Sequence, residues 1–493
     1  MKWGYVVAAL VFAVIVGRAS ICSAPAVYNS PEEQREIETR CDKLKILHSA
    51  EMRTDTSTEF ITIPADYPEV KDFDVAKTPP TIDFAVIQGY EPWYLPVLYK
   101  KGNRNSGIYG GWGDVSKGPD GCFYFSIGDH RSYGGTAYII KYDPKKKKQS
   151  IAFDLKKVIG WKPTDYADGK FHGDPEIGPN GDMWLLSYFG PQPTEEEMKT
   201  VYRGSYILKY NVFTGKVEQY GIPLEGESWP YHCYDPARGL FFGIGSIKGY
   251  VIAYDTKAKR MIFGGACPDS ITWCERCVML DKDTGKIYTT DSKIYYQPGT
   301  SYAERYRGNQ HFVSYERRNN TFTRLKACVP PNPVTGTVSS CRAHTKDKDA
   351  EGAFWCMDVS GAIFKFYPEQ DRTESVGINW GKEGKYTSNM NHSPKKRYVY
   401  YMPGADTQAF TYGTPVVQFD TKTGKKKVIA FLNDFYLNKY GYSPGGTYGI
   451  ELDEKGETLF CYTNGQFTTK ELSTGYGRPA IFHVHIPASE RVE

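Results

Sequence analysis

The chain has 493 residues, a formal net charge of +4, 15% aromatic residues with 39 tyrosines among them, and 49 glycines. That length exceeds one ordinary domain unless repeats close into a single body, and so much Tyr, Phe and Gly favours short strands and tight turns over helices. Setting aside Lys2 and Arg18 of the leader brings the charge to about +2, which excludes the strongly basic balance of a nucleic-acid binder.

Met1-Lys2-Trp3 carries one positive charge ahead of an apolar run over residues 6–16, and Ser23-Ala24 follows. This reads as a signal peptide cleaved near Ala24, its apolar run shorter than the roughly 20 residues of a membrane span. The expectation is a secreted or periplasmic protein with no membrane span, in a compartment that permits disulfides. Residues 25–109 form a lead-in. Residues 30–47 have helix-forming composition, and two apolar runs follow, Phe60-Ile61-Thr62-Ile63 and residues 82–87. One of them is expected to supply a ring-closing strand, because the last repeat stops after its third strand.

From Gly110 a repeat is visible. Its second strand reads GCFYFSIG at Gly121, GDMWLLSY at Gly181, GLFFGIGS at Gly239, GKIYTTDS at Gly285, GAFWCMDV at Gly352, RYVYYMPG at Arg397 and GETLFCYT at Gly456. Each is followed by a third strand such as AYIIKYDP or AIFHVHIP, and most by a fourth. Units of four strands recurring at roughly 45 to 65 residues fit the blades of a propeller and neither leucine-rich nor helical repeats. The predicted fold is all-β, a seven-bladed β-propeller over residues 110–493.

In this register the inner strands carry Trp112, His172, His232, Cys277, His344, His392 and Tyr448. The loop into an inner strand and the loop after strand two share one face. His130 and Tyr133 therefore gather with His172, Tyr188, Arg203 and His232 at one mouth, where ligands bind. Trp112, Tyr133 and His232 are candidate substrate-binding residues. Cys274-Glu275-Arg276-Cys277 has the spacing of half a zinc site, with Cys341-Arg342-Ala343-His344 as its counterpart. The expected zinc ligands are Cys277, His344 and His232, in a structural role. The same register suggests short-loop disulfides Cys267–Cys274 and Cys328–Cys341. No GxGxxG opening a helix, P-loop, GxSxG or HExxH is present, which disfavours dinucleotide, nucleotide and ordinary serine-hydrolase chemistry.

The combination of a signal peptide, seven blades, GDH ending at His130, FHGDP around His172 and the Tyr188 to Arg203 spacing resembles the seven-bladed polysaccharide lyases, above all the ulvan lyases. The gap between His130 and His172 is longer here than in that family. The resemblance implies β-elimination on an acidic, uronate-containing polysaccharide, with His130, His172, Tyr188 and Arg203 as the catalytic set and a structural zinc held by Cys and His. In that scheme Arg203 neutralises the uronate carboxylate, and Tyr188 and His130 transfer protons. Two other readings stay open, a non-catalytic glycan-binding propeller and a metal-dependent lactonase or hydrolase propeller.

Overall fold

The computed structural model describes residues 52–65, 67, 73–87, 110–129, 135–162, 164–268, 271, 277–291, 310–405, 409–467 and 478–493. The signal peptide, the helix expected over residues 30–47, His130, Tyr133 and Cys274 lie outside these residues. Each apolar second strand of the repeat becomes the second strand of an antiparallel sheet, and the sheets form a ring of seven blades. The second strands are Phe123–Gly128, Asp182–Phe189, Leu240–Ile244, Ile287–Thr290, Phe354–Asp358, Tyr398–Tyr401 and Thr458–Thr463.

These strands are apolar on both faces because each blade is covered by two neighbours, so an unbroken hydrophobic run replaces the usual alternation. In blade one, Phe123, Phe125 and Ile127 pack with Phe460, Tyr462 and Ile481 of blade seven. The intervening Tyr124 turns the other way, to Met183, Leu185 and Tyr210 of blade two. Every other pair of neighbours shares a comparable cluster. A single blade could not bury these faces alone, which is why the repeats fold as one ring.

Closure comes from the lead-in. Thr81–Val86 pairs antiparallel with Ala480–His485 and completes blade seven, and Arg53–Thr56 adds a fifth strand outside it. Asp74–Val75 runs parallel to Lys426–Phe431 at the edge of blade six. The run at Phe60 forms a short 3-10 turn, Thr58–Ile61, whose fully buried Phe60 lies 4.5 Å from the ring of Phe435. Phe435 belongs to the helix Asn433–Tyr440, which ends at Gly441 in the left-handed conformation (φ 66°) that glycine adopts without strain. None of the described helices is long and apolar enough to cross a membrane.

One expected disulfide does not form. Cys328 and Cys341 are not joined: Cys328 Sγ rests 3.2 Å from His311 Nδ1, while Cys341 Sγ lies in the core between blades four and five, 3.8 Å from the Ala343 carbonyl oxygen. A bulge between Cys341 and Ala343 displaces the inner strand locally, a shift that counting residues along the repeat does not capture.

Candidate active site at the propeller axis

Consecutive residues of FHGDP enter different environments. Phe171 is a core residue, edge-on to Phe153 at 5.8 Å. His172 is fully buried in a ring of aromatics, with centroids 5.7 Å from Tyr231, 6.2 Å from Tyr188 and 6.4 Å from Tyr448. Gly173 is required for close approach, since a Cβ there would sit 2.3 Å from His232 Nδ1. Asp174 turns toward a group of carboxylates, described below.

The inner strand Asp168–Phe171 pairs with Asp182–Phe189 so that Lys170 stands directly opposite Tyr188. Lys170 Nζ lies 4.5 Å from the Tyr188 ring centroid and 5.1 Å from that of Trp112, within cation–π range. A second cation joins the group from blade five. Arg342 is 1% exposed and donates from Nε to the Tyr386 hydroxyl at 2.6 Å and from Nη1 to that of Tyr231 at 3.1 Å. Its guanidinium also lies 6.0 Å from the Tyr448 ring centroid. Burial raises the Tyr231 phenol above its ordinary value despite Arg342, so this tyrosine stays protonated.

Tyr188 is held from behind by a buried polar scaffold. Ser246 Oγ donates to its hydroxyl at 3.5 Å. The turn carrying Ser246 is fixed by Glu227, fully buried, whose carboxylate accepts from the backbone N–H groups of Ser228, Ile247, Lys248 and Tyr250 at 2.7 to 3.1 Å. Asp168 accepts from Ser187 and Ser205, and burial pushes it up to about 7 against those hydrogen bonds.

Next to the aromatic group, a set of carboxylates surrounds one lysine. Lys346 Nζ donates to Glu451 at 2.6 Å and to the Val115 carbonyl oxygen at 3.3 Å. Burial pushes Asp114 up to about 6 against the pull of Lys346. Burial and then the Asp114 carboxylate push Asp174 well above its ordinary value, and burial and then Asp174 push Glu176 up to about 7. Glu176 also accepts from the Tyr234 N–H at 2.6 Å.

The sequence-derived candidates divide accordingly. His172, Tyr188 and Trp112 share the aromatic group with Lys170. His232 is nearby but packs under Gly173 and against Phe241 at 5.3 Å, and burial holds its imidazole neutral, pushed down to about 3. Arg203 is exposed, and its side chain makes no hydrogen bond or ion pair among the described residues. Cys277 is turned into the core between blades four and five with Met279, Cys341 and Cys356, and burial raises its thiol well above the ordinary value. His344 Nδ1 lies 3.2 Å from the Thr345 carbonyl oxygen. Among the described residues, Cys277, His344 and His232 do not form a group of three converging ligand atoms. Nor do the axial carboxylates form a cation cage, because Lys346 takes the central place and no three of their oxygens converge.

Lys170, Tyr231, Arg342, Tyr386 and Glu227 were not singled out by the sequence. Lys170 and Arg342 carry a signal, being cations on buried inner strands, where burial demands a partner. No family model and no curated protein sequence matches the chain. Among solved structures it is similar to a chain of a nidogen/laminin complex, with 13% identity over 63% of this chain and 93% of that one and a TM-score of 0.39. It is also similar to a chain of a mitotic checkpoint complex, with 8% identity over 74% of this chain and 86% of that one and a TM-score of 0.45.

Proposed function

We propose that the chain is an exported polysaccharide lyase that cleaves a uronate-containing, ulvan-like polymer by β-elimination. The observation that supports this reading is the pairing of Lys170 with Tyr188 beside His172. Elimination needs a cation to neutralise the carboxylate, which acidifies the C5 proton, a base to take that proton, and an acid for the departing oxygen. The electrons of the C5–H bond become the C4–C5 double bond as the C4–O bond breaks, and the leaving oxygen takes up a proton. In this scheme Lys170 meets the carboxylate, Tyr188 and His172 serve proton transfer, and Arg342 keeps the Tyr231 and Tyr386 hydroxyls in place. Arg203, exposed, engages the polymer before it reaches the axis. His130 completes the proposed proton-transfer set.

The test is a panel of uronate polymers incubated with the purified protein and followed by the ultraviolet absorbance of unsaturated chain ends. Absorbance that grows with the wild type and is lost in Tyr188→Phe supports the reading. A wild type that binds a polymer without generating absorbance overturns it in favour of a glycan-binding propeller.

A further inference from the structure

We propose that Asp83, His483 and His485 form a divalent transition-metal site, best suited to zinc, that clamps the lead-in strand onto the last blade. His483 and His485 are two residues apart on the third strand of blade seven and therefore point to the same face. Asp83 lies directly across from His483 on the ring-closing strand. Its Oδ2 is 2.8 Å from His485 Nε2 and 3.9 Å from His483 Nδ1, and the three donor atoms all lie within 4.8 Å of one another. This is the sole group of three or more such side chains among the described residues.

The carboxylate is divided in its duties. Oδ1 accepts from Lys147 Nζ at 2.7 Å and from Thr54 Oγ1 at 2.5 Å, which fixes the group and leaves Oδ2 aimed at both imidazoles. Such outer partners orient metal ligands in established sites. His483 is 4% exposed, walled by the rings of Phe123 and Tyr142, each 5.6 Å away, and its Nε2 is buried without a hydrogen-bond partner. Its Nδ1, the nitrogen that faces Asp83, also lies 3.5 Å from the Tyr142 hydroxyl. The side chain of His485 is 39% exposed, leaving one side open for ion entry and a water ligand. Two imidazoles, one carboxylate and a water make a donor set that zinc accepts in tetrahedral geometry. The site lies on the outer strands of blade seven, away from the axis, and is independent of the glycan reading.

A bound ion would tie stability to metal, because only the closed ring presents all three ligands. The experiment uses the full chain stripped with a chelator and then titrated with zinc by calorimetry and by thermal melting. The expected result is one zinc per chain, a melting temperature that rises with zinc, and affinity at least tenfold weaker in His485→Gln and in Asp83→Asn. Cobalt(II) bound to the wild type reports the ligands directly and covers the case in which a variant fails to fold. A tetrahedral d–d spectrum without thiolate charge transfer supports the site. Thiolate charge transfer would place the ion on cysteines and overturn the proposal. An unchanged melting temperature with zinc, or undiminished binding in both variants, would also overturn it and leave Asp83 and His485 as an ion pair.

Discussion

Two neighbouring groups at the propeller axis handle buried charge in opposite ways. Around His172, the cations Lys170 and Arg342 are met by aromatic faces and phenol hydroxyls. Around Lys346, the cation is met by Glu451 directly and by Asp114 and Asp174 through space. The second arrangement ties the inner strands of blades one and seven together through Lys346 of blade five. The first answers the charge of Lys170 and Arg342 with ring faces and phenol hydroxyls, and Asp174 acts on Arg342 through space. Charge alone therefore does not mark a site; what matters is which groups answer it.

The contrast breaks first at Lys346. Replacing it in Lys346→Met leaves facing carboxylates without their cation and is expected to cost about 3 kcal/mol, the lower end for breaking a buried ion pair, because its side chain keeps 24% exposure. Urea unfolding measures the loss, and a change under about 1 kcal/mol would show that the carboxylates are carried as neutral acids. Tyr188→Phe should leave stability nearly intact yet lower turnover at least a hundredfold, about 2.7 kcal/mol of transition-state stabilisation. Near-normal turnover would remove Tyr188 from proton transfer and leave His172 and His130 as the pair to test.

The carboxylate group also predicts a pH dependence. Asp114 and Glu176 have folded values raised to about 6 and about 7, above their unfolded values near 4. Across that window the folded chain binds protons that the unfolded chain has released, so this stability is fully present below about pH 4 and is lost as pH rises through 6 to 7. Between pH 5 and pH 8 the two carboxyls withdraw on the order of 1–3 kcal/mol. The buried imidazoles of His232 and His483, held down to about 3, add stability over the same rise. The carboxyl part is therefore read as a difference, and Asp114→Asn should gain stability relative to the wild type at pH 8 more than at pH 5. No such difference in that variant would assign the effect to Asp168, raised to about 7 in its own buried network. The smallest effect belongs to Arg203→Ala. An exposed residue without an ion pair should change stability by under about 0.5 kcal/mol, and its cost should fall on KM by roughly tenfold with kcat retained. A collapse of kcat instead would return the carboxylate-neutralising role to Arg203.

The blades were legible because their signal is redundant. Seven second strands, each preceded or opened by turn chemistry and each apolar on both faces, could be aligned against one another without knowing any contact. That a lead-in run closes the ring followed from a last repeat lacking its fourth strand, but the sequence left open which of the two runs it is; the structure gives the place to Thr81–Val86. The site was legible in part. His172 and Tyr188 were placed together by strand register alone, whereas Arg342 was passed over for His344 two residues on. The bulge at Cys341 shows why: once a strand slips locally, counting along it no longer says which side chain turns inward. Glu227 was invisible for another reason. Its partners are backbone N–H groups, and a sequence carries no mark of where those converge.

The closing strand also bears on how the chain reaches its folded state. Asp83 and His485 are 402 positions apart, yet belong to the same sheet. Thr81–Val86 is made early and is almost entirely buried in the finished ring, but its partner strand emerges from the ribosome after every other blade. Until then its edge is an unpaired template for other chains. Contacts of such long range are slow to form and leave the waiting species open to aggregation. A ring latched by its two ends therefore folds under a deadline set by translation, and slowing synthesis of the last blade should lower the soluble yield more than slowing any blade before it.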